Sequence, residues 1–226
     1  MIIGFDADDT LWHNEDGFQA SQREFEALLA EWGDADTIED RLFEIEMRNM
    51  PRYGYGVKAH TLSMIETAIA VSDGQANAAL IAGIVDMGHA LLDRPVELLD
   101  GVVEVLDELA DLTLMLITKG DLYHQLARID ASGLKERFWQ TEVVAHKDVS
   151  TYRRVLGLHG VEPEQFVMVG NSLPSDVLPV MALGGRAVHV PYHVTWSHEQ
   201  HTGDHDAPVI ESLSDLPALL ADWNIR

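Results

Sequence analysis

Residues 1–12, MIIGFDADDTLW, decide how the rest of the chain is read. An apolar run, Ile2, Ile3 and Phe5, passes at once into three carboxylates within four positions, Asp6, Asp8 and Asp9, followed by Thr10. A short apolar run without alternation predicts a strand covered on both faces, which needs parallel neighbours and helices over them. Like charges gathered at its end repel one another, so the cluster calls for a cation or ligand that converts repulsion into coordination.

Working outward, the next stretch offers that strand no partner. From about residue 16 to 93 the apolar residues fall at helical spacing: Phe18, Phe25, Leu28, Leu29 and Trp32, then Leu42, Phe43 and Ile45, then Leu62, Ile65 and Ile69, then Leu80, Ile81, Ile84, Leu91 and Leu92. Roughly four helices are expected, joined by WGDADT, MPRYGYG and VSDGQ. From about residue 100 short apolar runs (LTLMLIT, TEVVA, FVMVG, RAVHVP, APVIES) alternate with amphipathic helical stretches. That alternation predicts a Rossmann-like, doubly wound α/β core with a mainly parallel sheet. The partition is therefore a core of residues 1–14 and 96–226, interrupted by an all-helical domain over 15–95.

The chain has 226 residues, 46% of them hydrophobic, enough for a sizeable core with a smaller insertion. It has no cysteine, which excludes disulfides and thiolate metal sites and fits a reducing, cytoplasmic setting. No run approaches the ~20 apolar residues of a membrane span. A net charge of −23, without a Lys/Arg cluster, argues against nucleic acid and anionic membranes as partners. A small-molecule substrate and a monomer or homodimer are expected.

In an open parallel sheet ligands bind beyond the carboxyl ends of the strands. Three further strands end in polar groups: LMLITKGD in Thr118, Lys119 and Asp121; EVVAHKD in His146, Lys147 and Asp148; FVMVGNSLPSD in Asn171, Ser172, Ser175 and Asp176. Carboxylates, a hydroxyl, an ammonium and an amide are the groups that hold Mg2+ and a phosphoryl group together.

Four of these segments, in this order, resemble the motifs of the haloacid dehalogenase-like superfamily: FDADDT, LITKG, the lysine of HKDVSTYRRVL, and VGNSLPSD. The helical insertion between the first and second is similar to that family's cap. The resemblance implies a magnesium-dependent phosphomonoester hydrolase acting on a small phosphorylated metabolite. Asp6 is then the candidate nucleophile, forming an aspartyl-phosphate, and Asp8 the candidate general acid/base. The resemblance adds that Asp8 binds metal through its backbone carbonyl. Thr118 and Gly120 are candidates for holding a phosphate oxygen, and Lys147 for offsetting its charge, with Lys119 as a competitor.

The fourth motif departs from the family pattern, because Asn171 stands where aspartate is usual. An amide oxygen can ligate Mg2+ with one charge fewer, so Asn171 and Asp176 are both metal-site candidates beside Asp6 and Asp8. Asp8 favours a phosphatase, since relatives that cleave carbon–halogen bonds lack this second aspartate. A phosphomutase would keep the same residues. A phosphate-responsive binding domain without turnover is a further alternative, disfavoured by the cap and by Asp8. Asp9, where the family often has glycine, reads as a turn residue in a left-handed conformation. A calcium loop is rejected because the twelfth position from Asp6 is Gly17 rather than glutamate.

In the insertion, RNMPRYGYGVKAH reads either as a substrate-facing loop bearing Tyr53, Tyr55 and Lys58 or as a helix connector with packed tyrosines. The segment with His198, His201 and His205 has metal-like spacing but reads as an exposed loop, since no fourth ligand accompanies it.

Overall fold

The computed structural model describes residues 1–194, 196, 199, 203 and 205–225. The chain divides into two compact units, Met1–Glu15 with Val96–Arg226, and Asp16–Pro95.

The second unit is built from α1 (Glu15–Leu28), α2 (Ala35–Tyr53), α3 (Val57–Val71) and α4 (Ala78–Leu92). Its core is Phe25, Leu29, Ile38, Leu42, Met64, Ala68, Leu80 and Ile84; the expected stripe holds for α1 and α4, but α3 buries Met64 and Ala68 while Leu62 and Ile69 are exposed. Asp34 caps α2 by accepting from the Thr37 amide at 2.9 Å, and Asn77 caps α4. The MPRYGYG stretch is shorter as a connector than the sequence suggests. α2 runs on through Pro51 to Tyr53, and the chain turns only at Gly54, whose φ is 70°. A proline this close to the helix end forfeits one backbone bond without disturbing the turns before it.

The first unit holds a five-stranded sheet: β1 (Ile2–Phe5), β2 (Thr113–Lys119), β3 (Gln140–Val144), β4 (Phe166–Gly170) and β5 (Arg186–His189), with α5 (Val102–Glu108), α6 (Leu122–Ser132), α7 (Val149–Leu158), α8 (Leu178–Met181) and α9 (Leu216–Asp222) around it. The strand order is β3-β2-β1-β4-β5 and every pairing is parallel. Successive strand residues feed opposite faces: Ile3, Phe5, Leu114, Leu116, Val167 and Val169 pack on one side, Met115, Ile117, Phe166 and Met168 on the other. This two-sided burial explains why β1, β2 and β4 read as apolar runs, while the edge strand β3 keeps polar, half-buried residues.

The APVIES run does not form the strand its composition suggests. Only a single bridge joins Val209 to His189. Pro208 has no N–H to extend a ladder, and Ala207 and Ile210 bury as loop residues instead. No described helix is long and apolar enough to cross a membrane.

The strand order reverses at β1, so Asp6 leaves the sheet at its switch point, flanked by the ends of β2 and β4.

Candidate functional site

The loop after β1 is shaped by its own short-range bonds. The Ala7 carbonyl accepts from Leu11 N at 2.8 Å, and Asp9 N donates to Trp12 O at 2.7 Å. Asp9 has φ 61°, the left-handed conformation that aspartate tolerates. Its Oδ1 accepts from the amides of Asn14 (2.8 Å) and Glu15 (3.1 Å), at the entry to α1. Burial pushes its carboxyl up to about 7, with Asp8 adding to the effect and the Glu15 and Asn14 amides opposing it. Asp9 is thereby consumed in building the turn.

Asp6 is buried and meets Lys147 and Thr10. The Lys147 ammonium donates to Asp6 Oδ1 and, at 2.6 Å, to Asp176 Oδ1. Thr10 Oγ1 donates to Asp6 Oδ2 at 3.2 Å and accepts the Asn171 amide at 3.1 Å. Burial pushes the Asp6 carboxyl up to about 7, against the pull of Lys147. For Lys147 burial works toward the neutral amine, yet Asp176 and Asp6 outweigh it and raise its pKa. It therefore stays charged beside the candidate nucleophile.

Asp176 is fully buried and spoken for on both oxygens. Besides Lys147 it accepts from Ser172 N at 3.1 Å and lies 3.5 Å from the Tyr152 hydroxyl, whose pKa burial and Asp176 hold well above the usual range. A π-helical turn over Leu173–Val177 delivers it, and Gly170 makes room. A Cβ at Gly170 would lie 2.3 Å from Asp176 Oδ2.

On the β2 side, Thr118 is buried with its Oγ1 accepting from Gln125 Nε2 at 2.7 Å. Gly120, with φ 148°, passes close to the same glutamine. Lys119 turns toward Ser175 Oγ (2.9 Å) and pairs with Glu199, and burial lowers its pKa to about 8, with Lys147 adding to the effect. Of the two competing lysines, Lys147 is the one on Asp6.

Asp8 is held by residues the motif reading did not single out. Its Oδ1 accepts from Trp12 Nε1 (2.7 Å) and Arg128 Nη1 (2.8 Å), and its Oδ2 from Gln125 Nε2 (2.9 Å). Gln125 and Arg128 lie three apart on α6, hence on one helix face, and that spacing is the signal that could have found them. Tyr152 carried no comparable signal.

Other strand-end residues have plain structural duties or stand apart. Asp121 caps α6 and Asp148 caps α7, while His146 is exposed. Tyr53, Tyr55 and Lys58 belong to the helical unit, at the α2–α3 junction; Tyr53 is exposed with its hydroxyl 3.4 Å from Glu66, and burial raises the Tyr55 pKa. His198 and His201 lie outside the described residues; the His205 ring stands 5.7 Å from that of His189.

Among the described residues no three His, Cys, Asp or Glu side chains converge as a metal would require. The oxygens available to a hard cation are of another composition: Asp6 Oδ2 and Asn171 Oδ1 stand 3.2 and 3.5 Å from one Thr10 hydroxyl. One carboxylate with neutral oxygens suits Mg2+, which keeps several waters and takes few protein ligands.

A family model for haloacid dehalogenase-like hydrolase matches residues 1–182. Among solved structures, a haloacid dehalogenase-like family hydrolase from Xanthomonas campestris is 41% identical, with a TM-score of 0.89 over 98% of this chain and 91% of that one. A predicted phosphoglycolate phosphatase from Haemophilus somnus (16% identity, TM-score 0.62, 96% of each chain) shares the fold. So does the L-2-haloacid dehalogenase of Xanthobacter autotrophicus with chloropropionic acid covalently bound (18% identity, TM-score 0.67, 97% of this chain and 98% of that one). No curated protein matches.

Proposed function

The chain belongs to the haloacid dehalogenase-like hydrolases, and from that premise we propose that it is a phosphomonoester hydrolase acting on a small phosphorylated metabolite through an aspartyl-phosphate on Asp6. The observation that carries this reading is Asp8. A second carboxylate two residues beyond the candidate nucleophile, with its side chain 24% exposed, is a group that cleavage of a carbon–halogen bond does not need and ester cleavage does.

In the first step an Asp6 oxygen attacks phosphorus, the bond to the alcohol oxygen breaks, and Asp8 gives that oxygen a proton. In the second, water attacks the aspartyl-phosphate, Asp8 takes its proton, and inorganic phosphate leaves Asp6 free. Lys147 offsets charge on Asp6 and on the phosphoryl oxygens, and Asp176 acts by holding Lys147 in place. Thr118, with its oxygen already accepting from Gln125, has its proton left to donate to a phosphoryl oxygen. Magnesium, held by Asp6, Asn171 and the Asp8 carbonyl, would supply charge neutralisation between nucleophile and substrate.

A second reading, dehalogenation of a 2-haloacid, draws support from Asn171, which leaves the cation site one charge short. The test sets phosphate release from a panel of phosphomonoesters, with and without Mg2+, beside chloride release from 2-chloropropionate. The expected result is magnesium-dependent phosphate release that Asp6→Asn abolishes. Chloride release without phosphate release would overturn the phosphatase reading in favour of the second.

A further inference from the structure

The strongest unassigned feature is the side-chain cluster that α6 presents to Asp8. A carboxylate offers four in-plane lone pairs. Three of those on Asp8 are taken: both on Oδ1, by Trp12 and Arg128, and one on Oδ2, by Gln125. Among the described residues, one lone pair on Oδ2 is left to exchange a proton.

The donors are themselves fixed. Arg128, its side chain 12% exposed, also donates to the His13 carbonyl at 2.9 Å and to Asn14 Oδ1, and its guanidinium lies 5.7 Å from the centroid of the buried Trp12 ring. Gln125 is 2% exposed, and its Nε2 faces Asp8 Oδ2, Thr118 Oγ1 and, at 3.0 Å, the Lys119 carbonyl. A carboxylate and a carbonyl can only accept, so the atom facing them must be the amide NH2; the orientation is dictated by its neighbours. The cost falls on Gln125 Oε1, which is buried without a hydrogen-bond partner among the described residues. Leaving a buried carbonyl unsatisfied is unfavourable. A leucine of similar size would avoid that cost, so the amide is explained by what it holds rather than by stability.

Resting on the phosphatase reading above, we infer that Gln125 and Arg128 are positioning residues that aim Asp8, leaving Oδ2 as the atom that passes the proton to the leaving alcohol and later takes one from water. Through its single NH2, Gln125 also ties Asp8 to Thr118, so the acid/base group and the phosphate-binding hydroxyl keep a fixed relation.

Leaving groups provide the test. An alkyl phosphate needs its departing oxygen protonated, whereas 2,4-dinitrophenyl phosphate does not. Gln125→Leu and Arg128→Met should lower kcat for the alkyl ester by about 100-fold, with less than about tenfold loss on the dinitrophenyl ester and little change in KM. Arg128→Lys, which keeps the charge without the fork, should recover part of the loss. Asp8→Asn sets the scale, and the variants should reproduce its leaving-group bias at smaller size. Turnover of the dinitrophenyl ester reports that each variant is folded. Equal losses on both esters, or none, with an active wild type would overturn the positioning role alone. A wild type that releases phosphate from neither ester would overturn both this inference and the reading beneath it.

Discussion

Thr10 and Asn171 share a hydroxyl and an amide across the β1 and β4 ends, and that contact sets Asn171 Oδ1 beside the candidate nucleophile. Asn171→Asp would add a charged oxygen at this point. In the presence of Mg2+ the half-saturating metal concentration should fall about tenfold, because affinity of such sites follows ligand charge. Without metal the same change sets a like charge near Asp6 and should lower the unfolding midpoint, which thermal melts with Mg2+ and with chelator would separate. A variant whose magnesium requirement is unchanged would remove Asn171 from the cation site. At this scale the sequence already marked Asp6, Asp8, Thr118 and Lys147, because each follows directly on a strand whose apolar run is visible. Gln125 and Arg128 were not marked: they act from a helix face, and only folding brings α6 over the β1 loop.

Among the elements, β4 and the π-helical turn after it act as one piece. The absence of a side chain at Gly170 lets Asp176 fold back over the strand end, where it takes Ser172 N and Lys147. Gly170→Ala would place a Cβ 2.4 Å from Asp176 Cγ, a contact that must be relieved by movement of the acid. The expected outcome is a loss of about 1–3 kcal/mol in stability by denaturant unfolding and at least a tenfold fall in kcat, since Lys147 loses one anchor. Unchanged activity would show that Lys147 is held adequately by Asp6. The inner strands β1, β2 and β4 were legible from composition because burial on both faces leaves little room for polar residues, whereas β3 at the sheet edge carries Gln140, Thr141 and Glu142 half-buried. The 207–212 run was misleading for the same reason in reverse: its apolar residues are buried as loop, and Pro208 denies the ladder.

For the whole molecule the governing quantity is charge. With 38 acidic and 15 basic residues, the chain carries a strong self-repulsion, yet Lys119, Arg128 and Lys147 are all spent in the first unit around the β1 and β2 ends. Each of these cations is paired with a carboxylate there, which reduces the negative charge that an incoming anion meets in the crevice. Screening should ease the remaining repulsion: between about 0.02 M and about 0.5 M KCl, as the Debye length shrinks to a few Å, the melting temperature should rise by several degrees. A flat or falling profile would mean that the surface acids are already locally compensated.

The sequence by itself determined the parallel sheet and the helical stretch between its first two strands, because period and burial are local consequences of residue type, and four motifs in order carried the resemblance to the family. It also exposed the departure at Asn171. What only the tertiary structure decided is which side chain each group meets: that Lys147 rather than Lys119 reaches Asp6, that Asp121 and Asp148 cap helices, and that Asp8 is held by three donors from a neighbouring helix and its own loop. Those pairings depend on strand order and on the angle at which α6 leaves β2, and neither is written in the spacing of residues along the chain.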